Sequence, residues 1–450
     1  MRHPTAPVLA ATVSALALLL QSTTSSAGNA VLAVNEDEIN GSLNVFYGSA
    51  AKPEQLYEMF FPEIPQPEGW KKVTGVAARP EPATLSAAVS FDDYVLGHPQ
   101  VFYLAAGAQG APAIELLWNT SLTPLDVTSQ THAQTPAMGT SLVGYDDECA
   151  ATDNVFFVGS DRHVHHIYYK KNHGWFTEDL TRRSGAGPVE GLNLAGHEAQ
   201  SSEEIFYLEA DGHVHELWRW SGCPDAPGFD GWHHVDLVAA SGGHAPRALA
   251  GSGLTSFFDP NTAVSSSGVY ESSGTLDAVL YVDGQHHLQE IYLTSSSAWK
   301  DLDLTAQSGA AAVPAGSALA SQAWLYQSDG FFAAFEDVYF IDAKAGIWEI
   351  SSAFEGAQGQ NNAGSPYKWT AVDASKAAKA PAAGVGTPMQ LDINDILCPP
   401  GQCDSSGFRK EINYVGTDEH VHSLGEYMFD LTGWTVEDLS TFTGAPKARP

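Results

Sequence analysis

The chain of 450 residues has few positive charges: 21 Lys and Arg residues stand against 53 Asp and Glu residues, which gives a net charge of −32. A surface of this sign repels phosphate backbones and anionic lipid headgroups. Long hydrophobic runs are also lacking, because only Val8 to Leu20 is continuously small or apolar, and that run is too short to span a bilayer. We therefore predict no nucleic-acid partner and no membrane insertion.

The first residues have the composition of a targeting segment. A basic start, Met1-Arg2-His3, precedes the apolar run, and the small residues Ser25-Ser26-Ala27 follow it. This order is typical of a secretory signal, with a retained membrane anchor as the alternative. We predict a signal peptide over residues 1–27 and a secreted, extracellular mature protein. In a eukaryotic source the sequons at Asn40 and Asn119 would be glycosylated.

Known enzyme signatures are missing from the chain. It contains no G-x-S-x-G elbow, no H-E-x-x-H, no phosphate-binding loop, no dinucleotide fingerprint and no sialidase Asp-box. A glycosidase needs two carboxylates at one place, whereas the recurrent acids of this chain are spread over its whole length. We predict a protein that is not an enzyme and that needs no cofactor. Acids within inserted loops leave a glycosidase or lyase as the alternative.

A unit of about 50–75 residues recurs seven times, and this period suits a four-stranded propeller blade. Each copy has a strand with a three-residue motif that begins with Val or Ile and ends with an aromatic residue: Val45-Phe46-Tyr47, Val101-Phe102-Tyr103, Val155-Phe156-Phe157, Ile205-Phe206-Tyr207, Val279-Leu280-Tyr281, Val338-Tyr339-Phe340 and Ile412-Asn413-Tyr414. Five copies end in Trp-x-x-x-Asp: Trp175 to Asp179, Trp232 to Asp236, Trp299 to Asp303, Trp369 to Asp373 and Trp434 to Asp438.

These copies predict an all-β protein: a seven-bladed β-propeller with four-stranded antiparallel blades and no helical period. We expect one domain over residues 28–450, with blades near 31–80, 82–133, 137–187, 190–245, 247–312, 316–381 and 386–446. The ring is predicted to close by packing of complete blades. The first strands are expected to include Ser141 to Tyr145 in blade 3, Leu249 to Gly251 in blade 5 and Leu319 to Ser321 in blade 6.

The large insertions all fall between first and second strands or between third and fourth strands, so they are predicted to share one face of the propeller. The cysteines lie in the same loops: Cys398 and Cys403 in one insertion of blade 7, Cys149 in blade 3 and Cys223 in blade 4. An even cysteine count in an exported chain favours disulfides over metal. We predict disulfides Cys398–Cys403 and Cys149–Cys223.

Three His-Val-His pairs follow the turn between second and third strands: His163/His165, His213/His215 and His420/His422. Imidazoles on one strand face can chelate a metal. Recurrence at the same blade position instead favours a structural role, and we predict no metal site. The Asp of Trp-x-x-x-Asp is likewise expected to be structural, as an acceptor of backbone N–H bonds.

Two other recurrent residue types could bind a sugar. The Trp can pack between blades or stack on a sugar ring. A Glu of the third strand can tie the fold together or accept hydrogen bonds from sugar hydroxyls. The Glu occurs in five copies, at Glu58, Glu115, Glu216, Glu290 and Glu349, and is replaced by His166 and Ser423 in the other two.

The repeats resemble a known group of proteins. The strings Val155 to His165, Asp211 to Trp218 and Gly231 to Leu237 are similar to the seven-bladed propeller lectins of the PLL type and, more distantly, to the six-bladed fungal fucose-binding lectins. The resemblance implies multivalent binding of fucose-like or O-methylated sugars between blades, with Glu216, Trp232 and their equivalents as ligands. The Arg that precedes the second-strand aromatics in the fungal family is not matched: Asn44, Gln100, Asn154, Glu204, Ala278, Asp337 and Glu411 stand there.

The sequence as a whole predicts a secreted, multivalent carbohydrate-binding protein whose partners are glycans. A propeller glycosidase or lyase and a protein-binding scaffold remain the alternatives. The candidate sugar-binding residues are Glu115, Glu216, Glu290, Glu349, Trp175, Trp232, Trp299, Trp369 and Trp434.

Overall fold

The structure is a computed structural model, and it describes residues 31–37, 42–50, 56–62, 71–74, 87–93, 98–106, 111–118, 121–147, 150–199, 202–220, 231–258, 275–294, 298–328, 331–357, 368–384, 387–394, 409–427 and 433–449. The predicted signal peptide, both sequons and all four cysteines lie outside these residues, so those features stay predictions.

The strands form seven separate four-stranded sheets, and in each sheet the strand order follows the chain. Blade 1 contains β1 (Leu32–Asp37), β2 (Ser42–Gly48), β3 (Leu56–Pro62) and β4 (Lys71–Thr74). Blade 2 contains β5 (Ala87–Asp93), β6 (His98–Ala106), β7 (Pro112–Trp118) and β8 (Ser121–Asp126). Blade 3 contains β9 (Val143–Asp147), β10 (Thr152–Val158), β11 (Val164–Lys170) and β12 (Gly174–Asp179).

The other four blades repeat this order. Blade 4 contains β13 (Ala195–Ala199), β14 (Ser202–Leu208), β15 (Val214–Trp220) and β16 (His233–Asp236). Blade 5 contains β17 (Leu254–Phe258), β18 (Thr275–Val282), β19 (Leu288–Thr294) and β20 (Trp299–Asp303). Blade 6 contains β21 (Leu319–Ser328), β22 (Phe331–Ile341), β23 (Ile347–Ala357) and β24 (Thr370–Asp373), and blade 7 contains β25 (Met389–Asn394), β26 (Arg409–Val415), β27 (Val421–Tyr427) and β28 (Thr435–Asp438).

The first strands lie around the axis, because each contacts the first strands of both neighbouring blades and the series closes from β25 back to β1. The seven-bladed propeller with four-stranded antiparallel blades is therefore confirmed. One strand was misplaced: the first strand of blade 5 is Leu254–Phe258, and Leu249 to Gly251 belong to the turn that precedes it. The sequence pattern favoured the earlier segment because both segments begin with Leu.

Short helices, which the sequence analysis did not predict, follow the fourth strands of blades 2 to 7: α1 (Val127–Thr131), α2 (Leu180–Ser184), α3 (Leu237–Ala240), α4 (Leu304–Ser308), α5 (Ala374–Ala378) and α6 (Leu439–Thr443). Such helices are one turn long, too short to give a recognisable helical period. Each begins at the last Asp of the fourth strand, whose carboxylate accepts a backbone N–H, as Asp179 does from Arg182. The Asp therefore has the predicted structural role, as a helix N-cap.

The core consists of clusters that each combine residues of two neighbouring blades. One cluster, for example, holds Phe156 of blade 3 with Tyr207 and Trp232 of blade 4. Because both faces of a blade are covered in this way, the second strands are buried along nearly their whole length, and β10 is buried at every position. Val, Ile, Phe and Tyr suit such strands through their β propensity and their apolar area.

Most of the described links between blades share one geometry. The segments after α1, α2, α3 and α5 each form an isolated bridge to the turn of the next blade, as between Val189 and Glu209 or between Ala383 and Gly416. The ring closes with the same bridge, between Ala448 and Ser49, and Tyr47 donates a hydrogen bond from its Oη to the carbonyl of Pro446 at 3.0 Å. Complete blades therefore close the ring, as predicted.

Candidate functional site

Strand register determines which inter-blade space each candidate residue enters. Glu216 pairs with Phe206, and Phe206 packs against Val279 and Tyr281 of blade 5, so Glu216 faces blade 5. Trp232 packs edge-to-face on Phe156 of blade 3, with 6.1 Å between ring centroids. Glu216 and Trp232 therefore lie on opposite faces of blade 4 and cannot contribute to the same site.

The structure instead brings together the acid of one blade and the Trp of the next. Glu216 shares the blade 4–5 space with Trp299, Glu290 shares the blade 5–6 space with Trp369, and Glu349 shares the blade 6–7 space with Trp434. At the blade 3–4 space His166 replaces the acid beside Trp232, at 6.2 Å between ring centroids. At the blade 2–3 space Trp175 packs on Phe102.

Glu115 was assigned to the wrong strand face. The structure pairs it with Tyr103, whereas Glu216 pairs with Phe206, one position earlier in the aromatic motif. A shift of one residue along a strand reverses the face on which the side chain lies. Glu115 therefore faces blade 1, where it accepts a hydrogen bond from Tyr103 Oη at 2.8 Å, and Leu116 occupies the position that corresponds to Glu216.

The Trp side chains pack between blades. Trp232, Trp369 and Trp434 are 6%, 7% and 8% exposed, while Trp175 and Trp299 are half-buried. Glu216, Glu290 and Glu349 are buried as well. In this structure the Trp side chains therefore have the packing contacts that were one of their two expected roles. Sugar binding by the same residues stays a prediction.

The most polar inter-blade space lies between blades 4 and 5. His197 bonds to Ser256 through Nδ1 and to Asp277 through Nε2, both at 3.1 Å, and Glu204 Oε2 lies 3.5 Å from the same Nε2. Ser202 Oγ donates a hydrogen bond to Glu204 at 2.8 Å. Every one of these ionisable side chains is buried, and Glu216 borders them.

Burial and hydrogen bonding set opposite charge states within this cluster. Burial alone lowers the pKa of His197, but the hydrogen bonds to Asp277 and Glu204 outweigh it and raise the pKa to about 9. Burial raises the pKa of Glu216 well above its usual value, with further repulsion from Glu204 and Asp277. Burial therefore favours the protonated form of Glu216, which can donate a hydrogen bond, beside an imidazole that is cationic near pH 7.

A buried ion pair lies between blades 3 and 4. Arg219 binds Glu203 through two hydrogen bonds of 2.8 and 2.7 Å, and its guanidinium carbon lies 4.8 Å from the ring centroid of Trp232. In the same space His166 stacks on Phe156, with 4.3 Å between ring centroids, and its Nε2 contacts Asn154 Oδ1 at 2.9 Å. Burial lowers the pKa of His166 well below its usual value, so the ring is neutral.

Lys410 is a buried cation between blades 6 and 7, as Arg219 is between blades 3 and 4. It forms an ion pair with Glu349, lies 3.6 Å from Asp337, and stands 5.5 Å from the ring centroid of Trp434. In the space between blades 5 and 6, both blades contribute an acid, Glu290 from blade 5 and Glu336 from blade 6. Burial raises the pKa of Glu290 to about 8. Each space thus combines an aromatic ring with a different charge pattern.

The His-Val-His pairs join the turns to the short helices. His163 Nδ1 lies 2.9 Å from Asp179, the N-cap of α2, and His165 Nε2 lies 3.0 Å from Asp161 in the turn. In blade 7 the equivalent partners are Asp438, 2.8 Å from His420 Nδ1, and Asp418, 3.0 Å from His422 Nε2. In these two blades the pairs have the structural contacts that their repetition predicted.

Sequence reasoning missed His197, Glu203, Asp277, Arg219 and Lys410. For His197, Asp277 and Lys410 the partner across a space is distant in the chain: 80 residues separate His197 from Asp277, and 61 separate Lys410 from Glu349. Glu203 and Arg219 are paired on neighbouring strands of blade 4, 16 residues apart. A signal was nevertheless present, because charged residues directly precede the apolar second-strand motif in several copies: Glu203-Glu204, Asp277, Glu336-Asp337 and Lys410-Glu411. A strand with both faces covered rarely carries such residues without a specific partner.

Several buried polar atoms of these spaces have no hydrogen-bond partner. They are Glu216 Oε2 in the blade 4–5 space and, in the blade 3–4 space, His166 Nδ1 and Trp232 Nε1. A buried polar atom without a partner is costly, and native proteins pair nearly all of them with protein, water or ligand. The inter-blade spaces therefore offer both donors and acceptors to a bound molecule.

The fold is similar to those of known lectins. BP39L lectin from Burkholderia pseudomallei superposes with a TM-score of 0.56 at 13% identity, covering 92% of this chain and 98% of that chain. The fucose-specific lectin from Aleuria aurantia gives a TM-score of 0.44 at 13% identity, covering 96% and 99%. The match to BP39L lectin confirms, for the fold, the resemblance inferred from the repeats.

Other comparisons give no match: no protein-family model and no curated protein sequence matches the chain. Among the described residues no helix is long and apolar enough to cross a membrane.

Proposed function

We propose that this protein is a non-enzymatic, multivalent lectin that binds sugars in the spaces between blades. The observation that supports it is the recurring combination of a third-strand acid or His with the Trp of the next blade, beside polar atoms without partners at Glu216, His166 and Trp232. Sugar hydroxyls both donate and accept hydrogen bonds, and the C–H face of a sugar ring packs on an aromatic side chain.

The blade 4–5 space is the best equipped for this role. Burial favours the protonated form of Glu216, which can both donate and accept a hydrogen bond. The His197–Asp277–Glu204 cluster fixes its surroundings, and Trp299 adds an aromatic ring that remains half-buried. Fucose and O-methylated sugars are the first ligands to test, because of the resemblance of the repeats. We also propose export of the protein, with glycans outside the cell as its partners.

A glycan array followed by calorimetry with free monosaccharide tests the proposal. Free sugar is needed because multivalent avidity on a surface masks the loss of one site. Glu216→Gln keeps the shape but replaces one carboxyl oxygen with an amide nitrogen, which cannot accept a hydrogen bond from a sugar hydroxyl. We expect it to weaken its site about tenfold, equivalent to about 1.4 kcal/mol. Glu115→Gln is the matched control, since this acid lies on the opposite strand face and should leave sugar affinity unchanged.

The melting temperature separates binding from structure. Reduced sugar affinity in Glu216→Gln with an unchanged melting temperature supports a binding site at Glu216. A changed melting temperature with unchanged affinity and stoichiometry would show that Glu216 is a structural acid. Release of a product from an array glycan would favour the glycosidase alternative, and glycan-independent capture of a protein would favour the scaffold.

A further inference from the structure

Blade 4 departs from the His-Val-His geometry of blades 3 and 7. In those blades the second His bonds to the turn Asp through Nε2, at 3.0 Å for both His165 and His422. In blade 4 the corresponding His215 Nε2 lies 3.8 Å from Asp211, is buried and has no partner. Its other nitrogen, Nδ1, lies instead 2.9 Å from Nε2 of His234.

Two residues unique to blade 4 account for the change. His234 pairs with Leu217, and the equivalent positions in blades 3 and 7 hold Thr177 and Val436. Glu209 stands where those blades have Gly159 and Gly416. A Cβ on Gly159 would lie 2.5 Å from Asp161 and 2.6 Å from His165, so the Asp–His bond of blades 3 and 7 requires glycine there. Glu209 fills that space, and His215 faces it with Nδ1.

The three side chains place nitrogen and oxygen atoms at the spacing of a metal site. Glu209 Oε1 lies 3.7 Å from His215 Nδ1 and 3.5 Å from His234 Nε2, and the two nitrogens are 2.9 Å apart. In a tetrahedral zinc site with metal–ligand bonds of about 2.0–2.1 Å, ligand atoms are separated by about 3.3 Å. We propose that Glu209, His215 and His234 bind a divalent transition metal of the zinc class, with the fourth position open to solvent.

Hydrogen bonds from neighbouring groups fix the positions of these side chains, as outer-shell hydrogen-bond partners do for metal ligands. Glu209 Oε1, the oxygen nearest to both imidazoles, accepts hydrogen bonds from the Gly187 backbone N–H at 3.0 Å and from Tyr207 Oη at 3.1 Å, which fix its position. When Nδ1 of His215 binds a metal, Nε2 carries the proton, and Asp211 is the carboxylate that it faces. Metal-bound histidines commonly direct their second N–H to such a carboxylate.

Accessibility also suits metal entry. His234 and Glu209 have side chains that are 24% and 18% exposed, so an ion can reach the site from solvent. Two histidines and one carboxylate are a common ligand set for zinc, and imidazole also suits copper and nickel.

Titration of tag-free protein, first stripped with chelator, with Zn²⁺ alone tests the site. We expect one equivalent to bind by calorimetry, with a rise in melting temperature. His234→Thr, which restores the residue of blade 3, should weaken binding about 100-fold or more, because loss of an outer-shell partner alone costs ~10–100-fold. Glu209→Gln, which preserves shape, should do the same if His234→Thr fails to fold.

The control variant is His163→Asn in blade 3, which removes a histidine from a turn that has the usual Asp partners. It should retain one equivalent of Zn²⁺ with unchanged affinity. In protein loaded with Co²⁺, the visible absorption of a tetrahedral site should be present in the control and absent in Glu209→Gln. Equal affinity in the wild type, His234→Thr and Glu209→Gln, or no binding by the wild type, would overturn the proposal.

Discussion

At the scale of single residues, the inter-blade charges are the most consequential feature. Arg219 and Glu203 are both buried, so each depends on the other for compensation of its charge. A buried ion pair adds little stability compared with well-packed apolar residues, because the cost of desolvating two charges offsets their attraction. Removal of one partner is different, since it leaves the other charge buried and uncompensated.

We expect Arg219→Met to lower the free energy of unfolding by about 3–5 kcal/mol, because Glu203 then loses both of its hydrogen bonds to the guanidinium. Urea denaturation measures the change. Arg183→Met is the matched control: Arg183 pairs with Glu178, but its side chain is 51% exposed, so its loss should cost no more than about 1 kcal/mol. Equal effects of the two variants would contradict the distinction between buried and exposed pairs.

At the scale of elements, the sequence located the blades and most of their strands, but not the first strand of blade 5 or the face of every side chain. The aromatic motif and Trp-x-x-x-Asp located the blades, because repetition averages out local ambiguity. Glu115 shows the limit: a one-residue difference in register placed it opposite Tyr103 and on the other face from Glu216. The ion pair of Lys410 with Glu349 could not be predicted for another reason. It depends on how two blades pack together, and the local sequence does not determine that packing.

The short helices permit a matched test of backbone strain. Gly185, which follows α2, has φ +73° with no heavy atom within 4 Å of an added Cβ, whereas Lys379 follows α5 with φ +57°. Left-handed backbone costs a residue with a side chain about 1–2 kcal/mol, and glycine avoids this cost. We expect Gly185→Ala to destabilise the protein by about 1 kcal/mol and Lys379→Gly to stabilise it by a similar amount, both measured by thermal denaturation. Changes of the same sign in both variants would contradict this account.

At the scale of the whole molecule, ring closure depends on the segment that follows α6. Lys447 accepts a backbone bond from Ala50 at 3.0 Å, Arg449 donates one to Gly48 at 2.9 Å, and Ala448 is fully buried beside Ser49. The links after α1, α2, α3 and α5 use the same bridge inside the ring, but here it joins residues nearly 400 positions apart, as in the bond between Tyr47 and Pro446. Closure therefore makes the first and last blades mutually dependent.

We expect deletion of residues 446–450 to lower the melting temperature and to allow blades 1 and 7 to exchange amide hydrogens faster than blades 3 to 5. The physical reason is that the deletion removes the bridge at one interface and leaves the other interfaces intact. Hydrogen exchange followed by mass spectrometry measures the difference. Uniform acceleration in all seven blades would indicate instead that the propeller opens as a single unit.

The buried acids make a final prediction, about the pH dependence of stability. Burial raises the pKa of Glu58 to about 7 and of Glu290 to about 8, and hydrogen bonds to Asp277 and Glu204 raise that of His197 to about 9 despite its burial. Since each group binds its proton more tightly when folded, the folded state carries more protons than the unfolded state between the two pKa values. The slope of stability against pH is then negative.

The contribution of these groups is thus fully present below their unfolded pKa values and is lost as pH rises through the folded values. Between about pH 5 and 9 we expect these groups to lower the melting temperature steadily. Glu290→Gln mimics the protonated acid and cannot ionise, so it should flatten the slope between about pH 5 and 8, and its melting temperature should approach that of the wild type near pH 4. Glu437→Gln, an exposed acid of β28, is the control and should retain the wild-type slope. If Glu290→Gln and the wild type lose stability in parallel, Glu290 is already ionised in the folded protein, and the space between blades 5 and 6 must hold compensating charge.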